Sequence, residues 1–245
     1  MAAFFTATIY QPFYNGLIFL IGTFPFFDAG IIVIIFTIIV KLILLPLSLK
    51  ASKAQLEMKS HEKNLNELKE RYKHSKEELN KKTIEYYKEK GINPFTGIFV
   101  ILIQLPILIG FYRVFIKSGL PKIDTTLLYS FLAGLASIVP NMMFLGLINI
   151  SQKSLTLAII AGITTYFQFS FASSQPVSGA KGTQGDIAKA MSVQMKYFLP
   201  VFMVYVAYIT SGAVSLYLIT SNLFAIGQEI YIRKKYHKSI VVIDL

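Results

Sequence analysis

Ile31 to Leu49 reads IIVIIFTIIVKLILLPLSL, a run of nineteen residues long enough to cross a bilayer and broken by one cation. An ammonium in hydrocarbon costs about 2.5–3.5 kcal/mol on insertion scales, so Lys41 either faces a partner or wet cavity, or snorkels to the interface. Snorkelling is hard from this position. Lys50 lies nine residues on, roughly 13 Å along a helix, farther than a lysine stem reaches in full. Thr37 (i−4) and Ser48 (i+7) share the helical face of Lys41, so the polar atoms form one stripe. The spacing favours a polar cavity within a bundle of membrane helices.

Composition agrees with a polytopic membrane protein. The chain has 245 residues, a mean hydropathy of +0.56 and 15% charged residues, against about 25% in soluble domains. The segment 50–90 holds half of the Lys and Arg and eight of the thirteen acids, so the remainder is more apolar than the average. The net charge of +11 is better explained by basic cytoplasmic loops than by nucleic-acid binding. With no cysteine there is no disulfide framework, thiolate chemistry or cysteine lipidation. The three histidines (His61, His74, His237) lack metal-ligand spacing, and neither a catalytic triad nor a nucleotide-binding glycine loop is present. The expectation is a protein that is not an enzyme, with no cofactor, no metal site and no catalytic residues. The N-terminus does not read as a cleaved signal or transit peptide, having no basic residue before Lys41.

The fold class expected is an all-α polytopic membrane protein: a five-span helix bundle with an N-terminal interfacial helix and a cytoplasmic helical hairpin. Residues 1–28 are aromatic-rich, are interrupted by Pro12, Gly16, Gly22 and Pro25, and read as an extracytoplasmic interfacial amphipathic segment. Span 1 is 29–49, followed by a charged hairpin (50–91) and span 2 (92–117). An interfacial segment (118–152), span 3 (153–172) and a cytoplasmic loop (173–195) come next. Span 4 (196–210), span 5 (213–232) and a basic tail (233–245) complete the order. Leu127–Ile150 is apolar enough to span but is broken by Pro140-Asn141 and weakened by Gly134 and Gly146. Charge decides its place. Five spans put the hairpin, the Lys181–Lys196 loop and the tail Arg233-Lys234-Lys235 on one side, with the N-terminus outside and the C-terminus cytoplasmic. A sixth span would export two of these basic segments.

The hairpin reads as two antiparallel helices turning at His74-Ser75, closed by Gly91 as a helix cap, with Pro94 beginning the next span. Its charge is open to two readings: a solvated surface, or a docking surface for ribosome or targeting factors. Within the spans, Gln104 precedes Leu105-Pro106, Gln168 shares a face with Thr164 and Thr165, and Ser211, Ser215 and Asn222 form a stripe. Each alone reads first as interhelical glue. Together with Lys41 they suggest a shared cationic, amide-lined pocket, for Glu229 is the only acid inside any span.

Five stretches carry a family resemblance: IIFTIIVKLILLPLSLKASKAQ (34–55), LKERYK (68–73), YKEKGINPFTGIFVILIQLPILIGFYRVF (87–115), IIAGITTYFQ (159–168) and SGAVSLYLITSNLFAIGQ (211–228). In this order the chain resembles the YidC–Oxa–Alb family of membrane protein insertases, in its short single-domain bacterial form. The resemblance implies five spans around a hydrophilic groove open to cytoplasm and lipid. It implies a basic residue of the first span at Lys41, groove glutamines at Gln104 and Gln168, and the fifth-span amide at Asn222. Thr37, Ser48, Thr164 and Ser215 complete the expected groove. The chain departs from the family in having lysine for the usual arginine, which loses bidentate geometry. It also lacks a proline near Lys63 and carries Leu218 where tryptophan is common.

The implied function is insertase and chaperone: short polar tails of nascent membrane proteins cross through the groove, and hydrophobic segments leave sideways into lipid. Implied partners are nascent membrane proteins and the bilayer. The Sec translocon, ribosome and signal-recognition components are candidates through residues 50–90 and the basic tail, without sequence-specific nucleic-acid binding. The implied location is the bacterial plasma membrane. Two rivals stand beside this reading. One is a small transporter or anion channel using Lys41 as counter-charge, which lacks an internal inverted repeat in its support. The other is a membrane-anchored docking protein, which leaves the polar stripes unexplained.

Overall fold

The computed structural model describes residues 2–91, 105–117, 120–172 and 194–241. Nine α-helices are found among them: α1 (Ala2–Phe5), α2 (Gln11–Thr23), α3 (Ala29–Ser60), α4 (Glu62–Arg71), α5 (Lys76–Lys90), α6 (105–112), α7 (Leu155–Ala172), α8 (Leu199–Ile209) and α9 (Gly212–Val241). Contacts divide the chain into two compact units. The first contains Met1–Ile43, Leu102–Thr165 and Pro200–Phe224; the second contains Leu44–Ile101, Tyr166–Leu199 and Ala225–Leu245.

In the first unit the opening turns of α9 form the centre, with every residue from Ser211 to Leu218 buried. Tyr217 stacks on Phe111 of α6 at 4.3 Å between ring centroids, and Phe111 meets Phe36 of α3 at 5.8 Å and Phe13 of α2 at 5.9 Å. On α3 the buried residues Ile32, Val33, Phe36 and Thr37 recur at helical spacing, while Ile38, Ile39, Leu42 and Ile43 are exposed. The same split holds on α7, with Leu157, Ala158 and Ala161 inward and Ile159, Ile160 and Ile163 outward. A helix apolar on both its buried and its exposed face suits lipid rather than water.

By length and composition, the Ala29–Ala54 stretch of α3 is a candidate membrane span, and Leu105–Phe115, Leu155–Phe171 and Lys196–Ile209 are shorter apolar helices. The first part of the expected second span, with Gln104 and Pro94, lies outside the described residues, as does most of the 173–195 loop. Pro200 is the second residue of α8, which continues directly from a π turn (Gln194–Phe198). Helices α7 and α8 approach closely at Gly162: a Cβ built there would lie 2.1 Å from Val204 Cγ2 and 3.3 Å from the Pro200 carbonyl oxygen.

Three boundaries differ from the sequence reading. Pro12 does not interrupt the N-terminal helix. A π turn (Thr6–Tyr10) precedes it, and proline sits at the start of α2, where it can be tolerated. The helix stops only at Thr23, before Phe24-Pro25. Helix α3 does not end at Leu49: it continues through Pro46 to Ser60, 32 residues in all, so the first arm of the hairpin begins as an extension of the span. Likewise α9 runs unbroken to Val241, making the described part of the basic tail helical.

The 118–152 segment holds no α-helix among its described residues. It folds as short 3-10 turns (Thr125–Leu127, Ser130–Leu135) and a two-stranded antiparallel ribbon, β1 (Met143–Phe144) with β2 (Ile148–Asn149), paired Phe144 to Ile148. One face of α2 holds it. Asn15, buried, donates through Nδ2 to the Leu127 carbonyl (2.8 Å) and accepts the Tyr129 N–H at Oδ1 (2.7 Å), and Gln11 also donates to the Leu127 carbonyl (3.2 Å). Tyr14, wholly buried, accepts the Asp124 N–H at 2.6 Å, and burial pushes its phenol pKa up. Gln11, Tyr14 and Asn15 lie at i, i+3 and i+4, one helical face. The segment therefore finds its backbone partners on α2 rather than in a helix of its own.

The second unit contains the hairpin. Helix α4 follows α3 after a break at His61, and the chain turns at Tyr72–Ser75 into α5. Ser75 caps α5 by accepting the Glu78 N–H (3.3 Å), and Gly91 ends it with a left-handed φ of 65°. His61 Nδ1 and Asn64 Nδ2 both meet the Tyr86 hydroxyl, at 2.7 and 3.0 Å, joining the two arms. The exposed Lys82–Glu85 pair at 2.7 Å adds little to stability.

The Gly162 contact yields a stability test. Gly162→Ala should destabilise the helical core by about 1–3 kcal/mol, since Val204 is stiff at χ1 and cannot yield easily. Adding Val204→Ala should restore most of the loss. Thermal unfolding in detergent, followed by circular dichroism, measures both. Equal stability of Gly162→Ala and the parent would contradict the close approach.

Candidate functional site

Lys41 lies in the first unit, one turn beyond Thr37 on α3, and is half-buried. Thr37 is buried and donates its hydroxyl proton to the Val33 carbonyl at 2.6 Å. That bond closes within the helix and leaves the oxygen able to accept from another group.

Asn222 is buried on α9 and directs its amide at α7. Its Nδ2 is 2.8 Å from Thr165 Oγ1, 3.1 Å from Thr164 Oγ1 and 3.4 Å from the Ala161 carbonyl oxygen. Both threonines give their own protons to α7 carbonyls, Thr165 to Ala161 at 2.7 Å and Thr164 to Ile160 at 3.0 Å. Their lone pairs are thereby presented to the asparagine. Ser215, two turns before Asn222 on the same stripe, is fully buried, its hydroxyl 3.2 Å from the Ala207 carbonyl of α8 and 3.3 Å from the Ser211 carbonyl. Asn222 and Ser215 thus tie α9 to α7 and to α8.

The second unit has its own polar set. Ser48 donates to Gln228 Oε1 at 2.8 Å, and Gln228 Nε2 lies 3.4 Å from Ser52 Oγ, bonding α3 to α9. Near the end of α9, Glu229 pairs with Arg233 at 2.8 Å, and Arg233 also donates to the Phe171 carbonyl. Gln168 is half-buried on α7, one turn beyond Thr164. Gln104 lies outside the described residues.

Of the eight groove residues expected from sequence, Lys41, Thr37, Thr164, Ser215 and Asn222 therefore fall in the first unit, and Ser48 and Gln168 in the second. The bonds Asn222–Thr164 and Ser48–Gln228 bring two of those eight residues together and attach a third to a partner outside the set. Thr165, Ser52 and Asn15 are structurally important and were not among the eight. Thr165 was legible as the i−3 neighbour of Gln168. Ser52 lay hidden because the span was expected to end before it. Asn15 gave no signal beyond an amide in an aromatic helix. Among the described residues no cluster of three or more His, Cys, Asp or Glu side chains could hold a metal ion.

The chain is similar to known proteins over most of its length. The family model described as "60Kd inner membrane protein" matches residues 21–239. A membrane protein insertase YidC of Fusobacterium nucleatum is 32% identical over 208 residues, covering 85% of this chain and 87% of the relative. One of Clostridium tetani is 28% identical over 216 residues, covering 87% and 86% respectively. The membrane protein insertase MisCA of Bacillus subtilis is 29% identical over 212 residues, covering 84% of this chain and 70% of the relative. The match runs from the end of α2, through Lys41 and the hairpin, to the last turns of α9, and on that ground the chain belongs to the 60Kd inner membrane protein family.

Proposed function

We propose that this chain is a membrane protein insertase, acting on nascent membrane proteins at the lipid bilayer of a bacterial inner membrane. The observation that carries this reading is the family match across residues 21–239, together with relatives named as insertases that align over most of both chains. The physical support is the placement of a cation, Lys41, on the one described helix long and apolar enough to span.

The proposed topology has five spans, the N-terminus outside and the basic end of α9 in the cytoplasm, as the distribution of Lys and Arg requires. In this frame α1, α2 and the 118–152 segment lie on the outer side, and α4 and α5 project into the cytoplasm. The mechanism is non-covalent, with no cofactor. Lys41 attracts acidic or polar residues of a tail that must cross, lowering the desolvation cost of drawing them below the headgroups. Gln104 and the half-buried Gln168 offer amides that exchange hydrogen bonds with a moving peptide, while Asn222 and Ser215 keep α9 fixed against α7 and α8 as it passes. Hydrophobic substrate segments then partition into lipid along the exposed aliphatic faces of α3 and α7. The membrane potential contributes about 2.3 kcal/mol per charge per 100 mV to each charge moved. Short, weakly charged tails are the preferred cargo on this account. The charged hairpin and the end of α9 are the proposed surfaces for ribosome, signal-recognition and Sec components.

Two outcomes test this. Lys41→Ala should lose insertion of a small single-span substrate in insertase-depleted cells, scored by protease accessibility, whereas Lys41→Arg should retain it. Normal insertion by Lys41→Ala at equal membrane abundance removes the charge from the mechanism. Rescue by neither wild type nor variant, followed by solute flux through purified chain in liposomes, would overturn the insertase reading itself. Separately, a double-mutant cycle of Asn222→Ala with Thr165→Val should give a coupling of about 0.6–1.7 kcal/mol in detergent unfolding. A coupling near zero would mean that the amide does not fasten these helices.

A further inference from the structure

Residues 125–150 form a 26-residue run, TTLLYSFLAGLASIVPNMMFLGLINI, without a single Asp, Glu, Lys, Arg or His. Although apolar enough for a span, it folds as turns and a ribbon and leaves large hydrophobic side chains uncovered. At the ribbon tip, Leu145 and Leu147 are 61% and 80% exposed. Both Leu145 (φ 52°) and Gly146 (φ 71°) take positive φ. Outside glycine, that backbone state favours Asn or Asp, which would also suit an aqueous turn. Leucine there bears a conformational cost and presents an isobutyl group outward, a choice that makes physical sense in an apolar medium.

The tip is fixed at a definite place on the spanning helix. Asp28 Oδ1 accepts the Ile31 N–H at 3.0 Å, capping α3, while its Oδ2 accepts the Leu145 N–H at 3.1 Å. The Ala29 N–H donates to the Asn141 carbonyl at 2.7 Å, and a Cβ on Gly30 would meet the Phe144 ring at 2.4 Å. The ribbon therefore lies against the first turn of α3. Just before Asp28, Phe24, Phe26 and Phe27 form a ring cluster with Phe26–Phe27 centroids 4.6 Å apart, and Phe26 is 74% exposed. Exposed aromatic and aliphatic groups thus gather where the helix would enter the bilayer, the depth at which aromatic side chains concentrate in membrane proteins.

We propose that the Leu145–Leu147 turn, together with Phe26, is an anchor that inserts among outer-leaflet lipid acyl chains at the mouth of α3. The occupant is lipid because the helix that the ribbon grips carries an exposed aliphatic face farther along, at Ile38, Ile39, Leu42 and Ile43, and because the run offers no charge for a polar partner to pair with. This inference rests on the reading of α3 as a membrane span with its N-terminus outside.

The chain contains no tryptophan, so a single introduced indole reports one position without background. Leu147→Trp, Ile43→Trp on the exposed face of α3 and Ile84→Trp on the hairpin would each be made in the full chain. They would be reconstituted in phosphatidylcholine vesicles with or without lipids brominated along the acyl chain. The expected result is blue-shifted emission at 147 with severalfold stronger quenching by brominated lipid than at 84. Water-like emission at 147 that acrylamide quenches and brominated lipid does not would overturn the anchor. Blue-shifted emission at 147 untouched by brominated lipid would also overturn it, placing a second protein surface there. Strong quenching at 43 but not at 147 discards the anchor alone, whereas no quenching at 43 discards the span on which it rests. None of these readings depends on insertase activity.

Discussion

Helices that are apolar on every side gain nothing from the hydrophobic effect when they associate within lipid, so their contacts must come from close packing and hydrogen bonds. This constraint organises the first unit. Small side chains on α7 (Ala158, Ala161, Gly162) let its backbone approach its neighbours, and Gly162 admits Val204 where no Cβ would fit. Directed bonds then fix the register: Asn222 reaches two threonines of α7, and Ser215 reaches the backbone of α8. The large aliphatic residues face away from these contacts, which in a water-soluble domain would be the reverse of the usual arrangement.

The same constraint explains which features the sequence disclosed. Helical character, the apolar length of the first part of α3, the cap at Gly91 and the turn before α5 follow from local chemistry and were readable from residue type and spacing. The end of α3 was not, because hydropathy marks where lipid ends and not where hydrogen bonding stops. The polar residues after Leu49 are good helix formers, and nothing local breaks the ladder before His61. Pro12 misled for a related reason: a proline at the start of a helical segment needs only a neighbouring turn that tolerates its missing donor. In 125–150, Pro140-Asn141, Gly134 and Gly146 were local signs against a spanning helix, but its bonds to Asn15, more than a hundred residues away in sequence, had no local signal.

Of the groove candidates, residue type was legible but partners were not. Asn222 was visible as an amide in a span; that it meets Thr165 and Thr164 is a property of how two helices pack. Ser48 was placed on the stripe of Lys41, yet its bond is to Gln228, and the chain passes from one compact unit to the other within the six residues between Lys41 and Ser48.

Lys41 differs in kind from these residues. A threonine, serine or asparagine in a membrane helix can be satisfied by a carbonyl of its own or a neighbouring helix, and in this chain Thr37, Thr164, Ser215 and Asn222 all use such bonds. Their presence is adequately explained by the stability of the bundle. An ammonium carries three donors and a full charge, and a backbone carbonyl offsets only part of its cost in a medium of low dielectric. Leucine at position 41 would continue the aliphatic face of Ile38, Ile39, Leu42 and Ile43 without any such cost. The stability of the bundle therefore accounts less directly for a charge at this position than for the hydroxyls and amides around it. The proposed function gives that charge a task of a different kind: the bundle's hydrogen bonds keep the helices in place, and on this proposal the ammonium draws negative or strongly polar groups of a transient substrate toward the membrane.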